Sequence, residues 1–219
     1  MIKVKLKKKR KGKGKGRGFE REISGKISLW LTNGKSNECV WHTAGSGGMA
    51  TQRSKKKKTR DTMFGDLCCS DDNPIVQNFF KLINLELKSG YASKTKLKSG
   101  DSTVTNWSFN DIIDSGKTYN QFFKFWDQCD TDSLKSNREP MLIFRRNRRN
   151  ACIAMQSDLF EAFQKFSGYG FGNFYIEIKT PMPDGVHSYT ICNLDHFCKW
   201  FTYSDALLKG PITKILMKR

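Results

Sequence analysis

The chain has 219 residues, which is enough for one medium-sized α/β domain with a hydrophobic core but not for a second large domain. Its 39 lysines and arginines against 21 aspartates and glutamates give a formal net charge of +18, which favours nucleic acid as the partner. We expect neither a membrane span, which needs ~20 apolar residues, nor a signal peptide, and the seven cysteines without a Cys-x-x-Cys pair indicate reduced thiols.

The N-terminal segment is strongly basic. Residues 1–17 contain ten lysines and arginines, three glycines and no acidic residue, so this segment is predicted to be a disordered arm. Removing these ten charges from the total of +18 leaves +8, so the rest of the chain is basic as well. Two further clusters carry much of that charge: Arg53, Lys55, Lys56, Lys57, Lys58 and Arg60, and then Arg145, Arg146, Arg148 and Arg149. One cluster is as often a solubilising surface as a binding site, but three together favour contact with phosphate groups.

An amphipathic helix is predicted to follow the arm over residues 18–32. Its apolar residues recur at three- and four-residue steps: Phe19, Ile23, Ile27, Trp30 and Leu31. Asn33 and Gly34 are typical of a helix end. A short strand is predicted at residues 40–42, and a glycine-rich loop at residues 44–48 leads into the lysine cluster.

Residues 83–88 alternate strictly between apolar and polar side chains. Ile83, Leu85 and Leu87 are predicted on one face of a strand, with Asn84, Glu86 and Lys88 on the other. The preceding residues 70–78 indicate a polar insert, in which Asp71 and Asp72 suit a solvated turn better than a metal site. Residues 91–106 are polar without periodicity, which predicts a long flexible insert.

The C-terminal half contains one aromatic helix and a hairpin. The helix is predicted from the stripe Tyr119, Phe122, Phe123, Trp126 and Cys129. Strands at residues 140–144 and 151–155 are joined by a turn whose tip carries the four arginines of the third cluster. A helix over residues 157–166, capped by Ser157 or Asp158, a strand near residues 174–179 and a mixed segment follow. Cys192, His196 and Cys198 fit no common zinc spacing.

Glu86 and Lys88 place a carboxylate and an ammonium group side by side on one strand face. Asp66 could add a second carboxylate, and Mg²⁺ would relieve the repulsion between the two and lower the pKa of a bound water. Lys88 could orient or deprotonate that water and offset charge in the transition state. The spacing alone does not identify the site, because Glu177 and Lys179 repeat the pattern with Asp158 upstream.

The order of these motifs resembles the PD-(D/E)XK nucleases, and within them archaeal Holliday-junction resolvases and phage endonucleases. The resemblance covers about residues 18–155 and rests on Gly18-Phe-Glu-Arg-Glu22, Ala44-Gly-Ser-Gly-Gly48, Gly65-Asp66, Leu85-Glu-Leu-Lys88, Phe125-Trp-Asp-Gln128 and Arg145-Arg-Asn-Arg148. It favours Glu86 over Glu177, since a helix and a hairpin of the expected kind follow only Glu86. The residue before Asp66 is glycine instead of the proline of the motif.

The resemblance implies a restriction-endonuclease-like α/β fold with three layers, in which a mixed central sheet is flanked by helices. It carries the metal site over to Asp66, Glu86 and Glu20, and adds Lys88, Ser46 and Gln128 as catalytic residues, with Gln128 a better match than Gln121. We expect a nuclease core over residues 18–156, with the polar insert near residues 91–106, and a C-terminal extension over residues 157–219 packed on it.

The resemblance further implies a Mg²⁺-dependent DNA endonuclease, with Mn²⁺ as a substitute, acting on branched DNA in the manner of a Holliday-junction resolvase. A homodimer and a cytoplasmic location, including the host cytoplasm for a phage protein, are expected with it. Two alternatives remain: a nuclease that cuts or trims duplex DNA with the same site, and a basic DNA-binding protein without activity. The residues expected on DNA are Arg17, Arg21, Arg53, Lys55, Lys56, Lys57, Lys58, Arg145, Arg146, Arg148 and Arg149.

Overall fold

The computed structural model describes residues 12–43, 64–70, 72–90, 92–96, 102–106, 121–146, 148–182 and 185–202. Five helices and nine strands lie in these ranges. In chain order they are α1 (Gly12–Leu31), β1 (Val40–His42), β2 (Leu67–Cys69), α2 (Pro74–Leu82), β3 (Ile83–Ser89), β4 (Ala92–Lys96), β5 (Ser102–Asn106), α3 (Gln121–Ser136), β6 (Glu139–Arg145), β7 (Cys152–Gln156), α4 (Ser157–Ser167), β8 (Tyr175–Met182), β9 (Gly185–Asn193) and α5 (Leu194–Trp200). None of the described helices has the length and apolar character needed to cross a membrane.

The centre of the fold is a five-stranded sheet in the order β3-β6-β7-β9-β8. β3 and β6 are parallel, because the chain between them passes through α3 and returns in the same direction, and the other three pairs are antiparallel. β3 is therefore one edge strand of this sheet and β8 is the other. β1 and β2 form a separate antiparallel pair, as do β4 and β5.

Helices cover both faces of the central sheet and create two hydrophobic clusters. The larger cluster packs side chains of α1, α2, α4 and α5 against residues such as Leu85, Ile143 and Ile153. The smaller one packs α3 against the opposite face, on Leu142 and Phe144 among others. Neighbouring residues of β6 thus point into different clusters, as strand geometry requires. The result is the three-layer α/β arrangement with a mixed sheet that was predicted.

Helix α1 buries all five residues of the predicted stripe: Phe19, Ile23, Ile27, Trp30 and Leu31. It ends as expected, with Asn33 and Gly34 in the left-handed region. The predicted start was wrong: the helix begins at Gly12, so residues 12–17 are helical and do not belong to a disordered arm. Extending an existing helix avoids the cost of nucleation, and the lysines between the glycines are good helix formers.

Helix α2 corrects the predicted polar insert at residues 70–78. Asn73 caps the helix by accepting hydrogen bonds from the backbone N–H groups of Ile75 and Val76, and Pro74 occupies the first turn. Val76, Phe79 and Phe80 are buried. The Asn-Pro pair, followed by apolar residues at three- and four-residue steps, is the signal that predicts this helix. Asp72 is exposed before it, and Asp71 lies outside the described residues.

Strands β4 and β5 correct the prediction of a structureless insert at residues 91–106. They pair antiparallel, with Ala92 opposite Asn106 and Lys96 opposite Ser102. The β-branched run Thr103-Val104-Thr105 suits a strand, and the short chain between β4 and β5 suits a hairpin.

The C-terminal strands belong to the central sheet, which corrects the prediction that residues 157–219 pack on it as an extension. β9 lies between β7 and β8, and it pairs with β7 over five residues. Helix α4 follows β7 directly. Ser157 does not cap it and neither does Asp158, because the cap position is Gln156. The Ser157 hydroxyl instead shares a hydrogen bond of 3.0 Å with Thr190 Oγ1 of β9, which ties α4 to the sheet.

Candidate active site

The centre of the candidate site is the polar face of edge strand β3. Glu86 and Lys88 are 3% and 8% exposed, and the Lys88 ammonium group forms an ion pair with Glu86 Oε1. A buried charge is stable only with a partner, and each of these residues supplies one to the other. The predicted strand and its two faces are confirmed. Its polar face, however, is also buried.

Gly65 brings Asp66 to this strand. Its φ angle is +79°, and a Cβ atom at this position would lie 2.4 Å from Asn84 Oδ1 and 2.7 Å from the Leu85 carbonyl oxygen. No other residue fits so close an approach, which explains why glycine stands before the aspartate. The Asp66 N–H donates to the Leu85 carbonyl at 2.8 Å.

The carboxylate of Asp66 accepts a hydrogen bond of 2.8 Å from the backbone N–H of Leu87. Leu87 lies between Glu86 and Lys88, so this bond holds the three functional groups together. The Thr43 N–H donates to the Asp66 carbonyl, and the Thr43 hydroxyl donates to the Gly65 carbonyl. The turn at residues 65–66 is thus fixed from β3 on one side and from the end of β1 on the other.

Both carboxylates have raised pKa values. Burial raises the pKa of Asp66, although the hydrogen bond from Leu87 opposes the shift. Burial and the nearby charge of Asp66 raise the pKa of Glu86 to about 7, against the effect of Lys88. Two buried carboxylates whose charges repel each other are the chemical setting in which a divalent cation is bound.

Glu20 of α1 is half-buried, and its charge contributes to the raised pKa of Asp66. The structure therefore brings Glu20 near Asp66. Gln128 is exposed on α3 and forms no hydrogen bond with Asp66 or Glu86. Ser46 lies outside the described residues.

Asp132 of α3 was not identified from the sequence. Its charge raises the pKa of both Asp66 and Glu86, so it faces the same site from the other layer of helices. The available signal was its place in α3, three residues after the buried Cys129. That signal becomes informative only when the packing of α3 on β3 is known.

The donor set fits a hard divalent cation that keeps part of its water shell. Among the residues that the structure describes, no group of three or more histidines, cysteines, aspartates and glutamates could hold a metal ion by itself. Magnesium is commonly bound through one or two carboxylates, with water and substrate phosphate oxygens as its other ligands. Asp66 and Glu86 match that requirement.

The alternative pair, Glu177 and Lys179, lies at the edge of the sheet opposite the candidate site. Both residues are on β8, at the edge of the sheet opposite β3, and their ion pair of 3.6 Å is solvent-exposed. Among the described residues, no second carboxylate is hydrogen-bonded to β8 beside Glu177, whereas Asp66 is hydrogen-bonded to β3 beside Glu86. The structure thus favours Glu86, as the order of the motifs did.

The four arginines of the β6–β7 turn differ in exposure, and Arg146 is half-buried. Arg148 and Arg149 are exposed at the tip. Arg145 is held by α1: it donates to both carboxylate oxygens of Glu22, at 2.8 and 2.7 Å, and its guanidinium lies 4.5 Å from the centre of the Phe19 ring. The predicted tip of four projecting arginines is therefore wrong for Arg145.

The turn that carries the exposed Arg148 and Arg149 starts at the end of the sheet where Lys88 lies. Arg145 pairs with Ser89, the residue after Lys88, so the turn that follows β6 begins at the same end of the sheet. Arg17 and Arg21 are exposed on α1 near Glu20. The second basic cluster, Arg53 to Arg60, lies outside the described residues.

A buried Glu and Lys on the edge strand of a mixed sheet, with an Asp hydrogen-bonded to the same strand and helices on both faces of the sheet, define the arrangement of the PD-(D/E)XK nucleases. The chain matches the model of the family described as "Phage putative PDDEXK endonuclease" over residues 11–207. The chain belongs to this family, which confirms the predicted superfamily and its restriction-endonuclease-like fold. Such nucleases generally use divalent metals. Comparisons with curated proteins and with solved structures found no match.

Proposed function

We propose that the protein is a magnesium-dependent DNA endonuclease that hydrolyses phosphodiester bonds in branched DNA, in the manner of a Holliday-junction resolvase. The observation that carries the proposal is the hydrogen bond from Leu87 N–H to Asp66, which holds the aspartate between Glu86 and Lys88. Family membership supports nuclease chemistry, and the net charge of +18 supports a polyanionic substrate.

Asp66 and Glu86 would hold the cation, with Glu20 acting through water. When bound, Mg²⁺ supplies a Lewis acid for the phosphate and lowers the pKa of a water molecule, and Mn²⁺ is expected to replace it. The two carboxylates are fixed before the metal binds, because one accepts a backbone hydrogen bond and the other an ion pair. Their preorganisation reduces the cost of assembling the site.

Lys88 would orient the attacking water and offset the negative charge that develops on the phosphate. Its ammonium group is held by Glu86, and it is almost inaccessible to solvent. Electrostatic interactions are stronger in such a weakly screened environment than in water. With a cation bound at Glu86, Lys88 would share the carboxylate oxygen that it contacts, and its ammonium group would be available to the substrate.

Exposed basic residues would hold the DNA backbone. Arg17, Arg21, Arg148 and Arg149 are exposed in the structure. Arg146, Arg53 and Lys55 to Lys58 remain candidates from the sequence. Contacts of this kind read the backbone, so binding should weaken steeply with salt and show little base preference. Symmetric cutting of two strands requires two sites, and we include a homodimer in the proposal.

The decisive experiment compares a four-way junction with a linear duplex of the same sequence, with and without Mg²⁺. We expect cleavage only with Mg²⁺, at least ~10-fold faster on the junction, and none with Asp66→Asn. Equal rates on both substrates would replace the resolvase function by a duplex-cutting or end-processing one. Tight DNA binding without cleavage under any metal condition would indicate a DNA-binding protein without activity.

A further inference from the structure

The position of Asp132 follows from the pattern of α3. The residues that this helix buries recur at three- and four-residue steps: Phe122, Phe125, Trp126, Cys129 and Ser133. Asp132 follows Phe125 by seven residues, about two helical turns, so it lies on the flank of the same buried face. Asp127 points away from that face and is exposed.

Two hydrogen bonds hold this part of α3 against the polar face of β3. The Asn84 side-chain amide donates to the Cys129 carbonyl at 3.3 Å and to the Ser133 hydroxyl at 3.0 Å. Asn84 precedes Glu86 by two residues and points to the same face. The contacts therefore bring the neighbouring Asp132 to the acidic pair, where its charge raises the pKa of Asp66 and Glu86.

The Asp132 carboxylate remains available to a ligand. Its side chain is 33% exposed, and its ion pair of 3.2 Å with Lys135 is an exposed pair within one helix. Such pairs contribute little and exchange readily with water. A third negative charge beside two buried carboxylates is unfavourable without a cation, so packing alone does not explain an aspartate at this position.

We propose that Asp132 is a metal-positioning residue of the nuclease site, which accepts a hydrogen bond from a water molecule of the divalent cation on the α3 side. The inference rests on the proposed function, because it requires a cation at Asp66 and Glu86. Magnesium keeps several of its water molecules when it binds to proteins, and a carboxylate that holds one of them fixes its orientation. Glu20 approaches Asp66 from α1, so the two helical layers each contribute one acidic residue.

The test measures cation binding and stability separately from cleavage. Binding of Mg²⁺ and of Ca²⁺ to the full chain is followed by calorimetry for Asp132→Asn, for Asp132→Glu and for the control Asp127→Asn on the same helix. We expect about 10-fold weaker binding for Asp132→Asn and less than 2-fold change for Asp127→Asn. The metal-free Asp132→Asn protein should melt at the same or a higher temperature, since a repulsive charge is removed.

Asp132→Glu distinguishes a hydrogen-bonded water from a general effect of charge. It keeps the charge but moves the carboxylate by one methylene group, so we expect binding clearly weaker than that of the wild type. Wild-type binding by Asp132→Glu or by Asp132→Asn overturns the inference, as does a lower melting temperature of metal-free Asp132→Asn. If the wild-type protein binds neither cation, and so behaves like Asp66→Asn, the proposed function itself fails.

Discussion

Gly65 shows how one residue connects backbone conformation to the chemistry of the site. Its positive φ angle turns the chain toward β3, and its missing side chain leaves room for Asn84 and Leu85. Asp66 follows directly and reaches the backbone N–H of Leu87. The residue before Asp66 therefore determines how closely the aspartate approaches strand β3.

Gly65→Ala should destabilise the fold and disrupt cation binding, since it combines an unfavourable φ with a steric clash. We expect a loss of ~2–4 kcal/mol in the free energy of unfolding, measured by urea denaturation. Gly168→Ala is the matched control, because Gly168 has a φ of +76° but no atom within 4 Å of the added Cβ. It should lose only ~1 kcal/mol. Equal losses in the two variants would show that the approach to Asn84 is unimportant.

The raised pKa of Glu86 predicts a pH-dependent stability of the metal-free protein. The native group titrates near pH 7, above its ordinary value of 4.5, so between these values the native state binds more protons than the unfolded state. The stabilisation is complete below pH 4.5 and is lost as the pH rises through 7. We expect a decrease on the order of 1–3 kcal/mol between pH 5 and pH 8 in the presence of EDTA.

Glu86→Gln is the control for this pH effect, because it removes the titrating group while it keeps the shape of the side chain. Its stability should change less between pH 5 and pH 8, measured by urea denaturation. Saturating Mg²⁺ should likewise reduce the decrease in the wild type, because the cation stabilises the ionised carboxylates. The assignment would be wrong if wild type and Glu86→Gln had parallel pH profiles in EDTA.

At the scale of elements, ion pairs and a hydrogen bond add to the buried stripe that holds α1 to the rest of the fold. Glu22 accepts two hydrogen bonds from Arg145 at the end of β6, and Lys26 forms a 2.8 Å ion pair with Asp195 of α5. Trp30 donates to the Phe201 carbonyl at 2.7 Å. These contacts fix the helix that carries Glu20 relative to the sheet that carries Glu86.

Arg145 and Arg148 should therefore respond differently to substitution by alanine. Arg145→Ala should lower the free energy of unfolding by ~1 kcal/mol, because a paired guanidinium over an aromatic ring is lost. Arg148→Ala should leave stability unchanged but weaken DNA binding and reduce its salt dependence by about one counterion. The measurements are urea denaturation and DNA titration at several salt concentrations. A loss of stability in Arg148→Ala, together with unchanged stability in Arg145→Ala, would contradict the structure.

Elements with a regular pattern could be predicted from the sequence. The stripe of α1, the alternation of β3 and the hairpin after Pro140 depend on local spacing, and the structure confirms all three. Helix α2 was missed, because its Asn73-Pro74 start was interpreted as part of a polar turn. The β4–β5 hairpin was missed because its strands are short and contain only two apolar residues, Ala92 and Val104.

At the scale of the whole molecule, the features that could not be predicted from the sequence are those that depend on tertiary contacts. The place of β9 between β7 and β8 depends on pairing across a long stretch of chain, which spacing does not encode. Asp132 joins Asp66 and Glu86 only because α3 packs on β3. The two Glu-x-Lys pairs have the same local pattern, and what distinguishes them is that one lies buried beside Asp66 and the other exposed at the far edge.

The contacts between α1 and the C-terminal elements also constrain when this protein can become active. Trp30 and Phe201 are 171 positions apart, and Lys26 and Asp195 are 169 apart. During synthesis, α1 leaves the ribosome well before residues 195–201 and finds these partners only after they have emerged. Contacts of such long range also slow folding. A growing chain therefore lacks the fixed position of Glu20 until residue 201 has left the ribosome, and a nuclease that could damage DNA does not assemble its acidic site before that point.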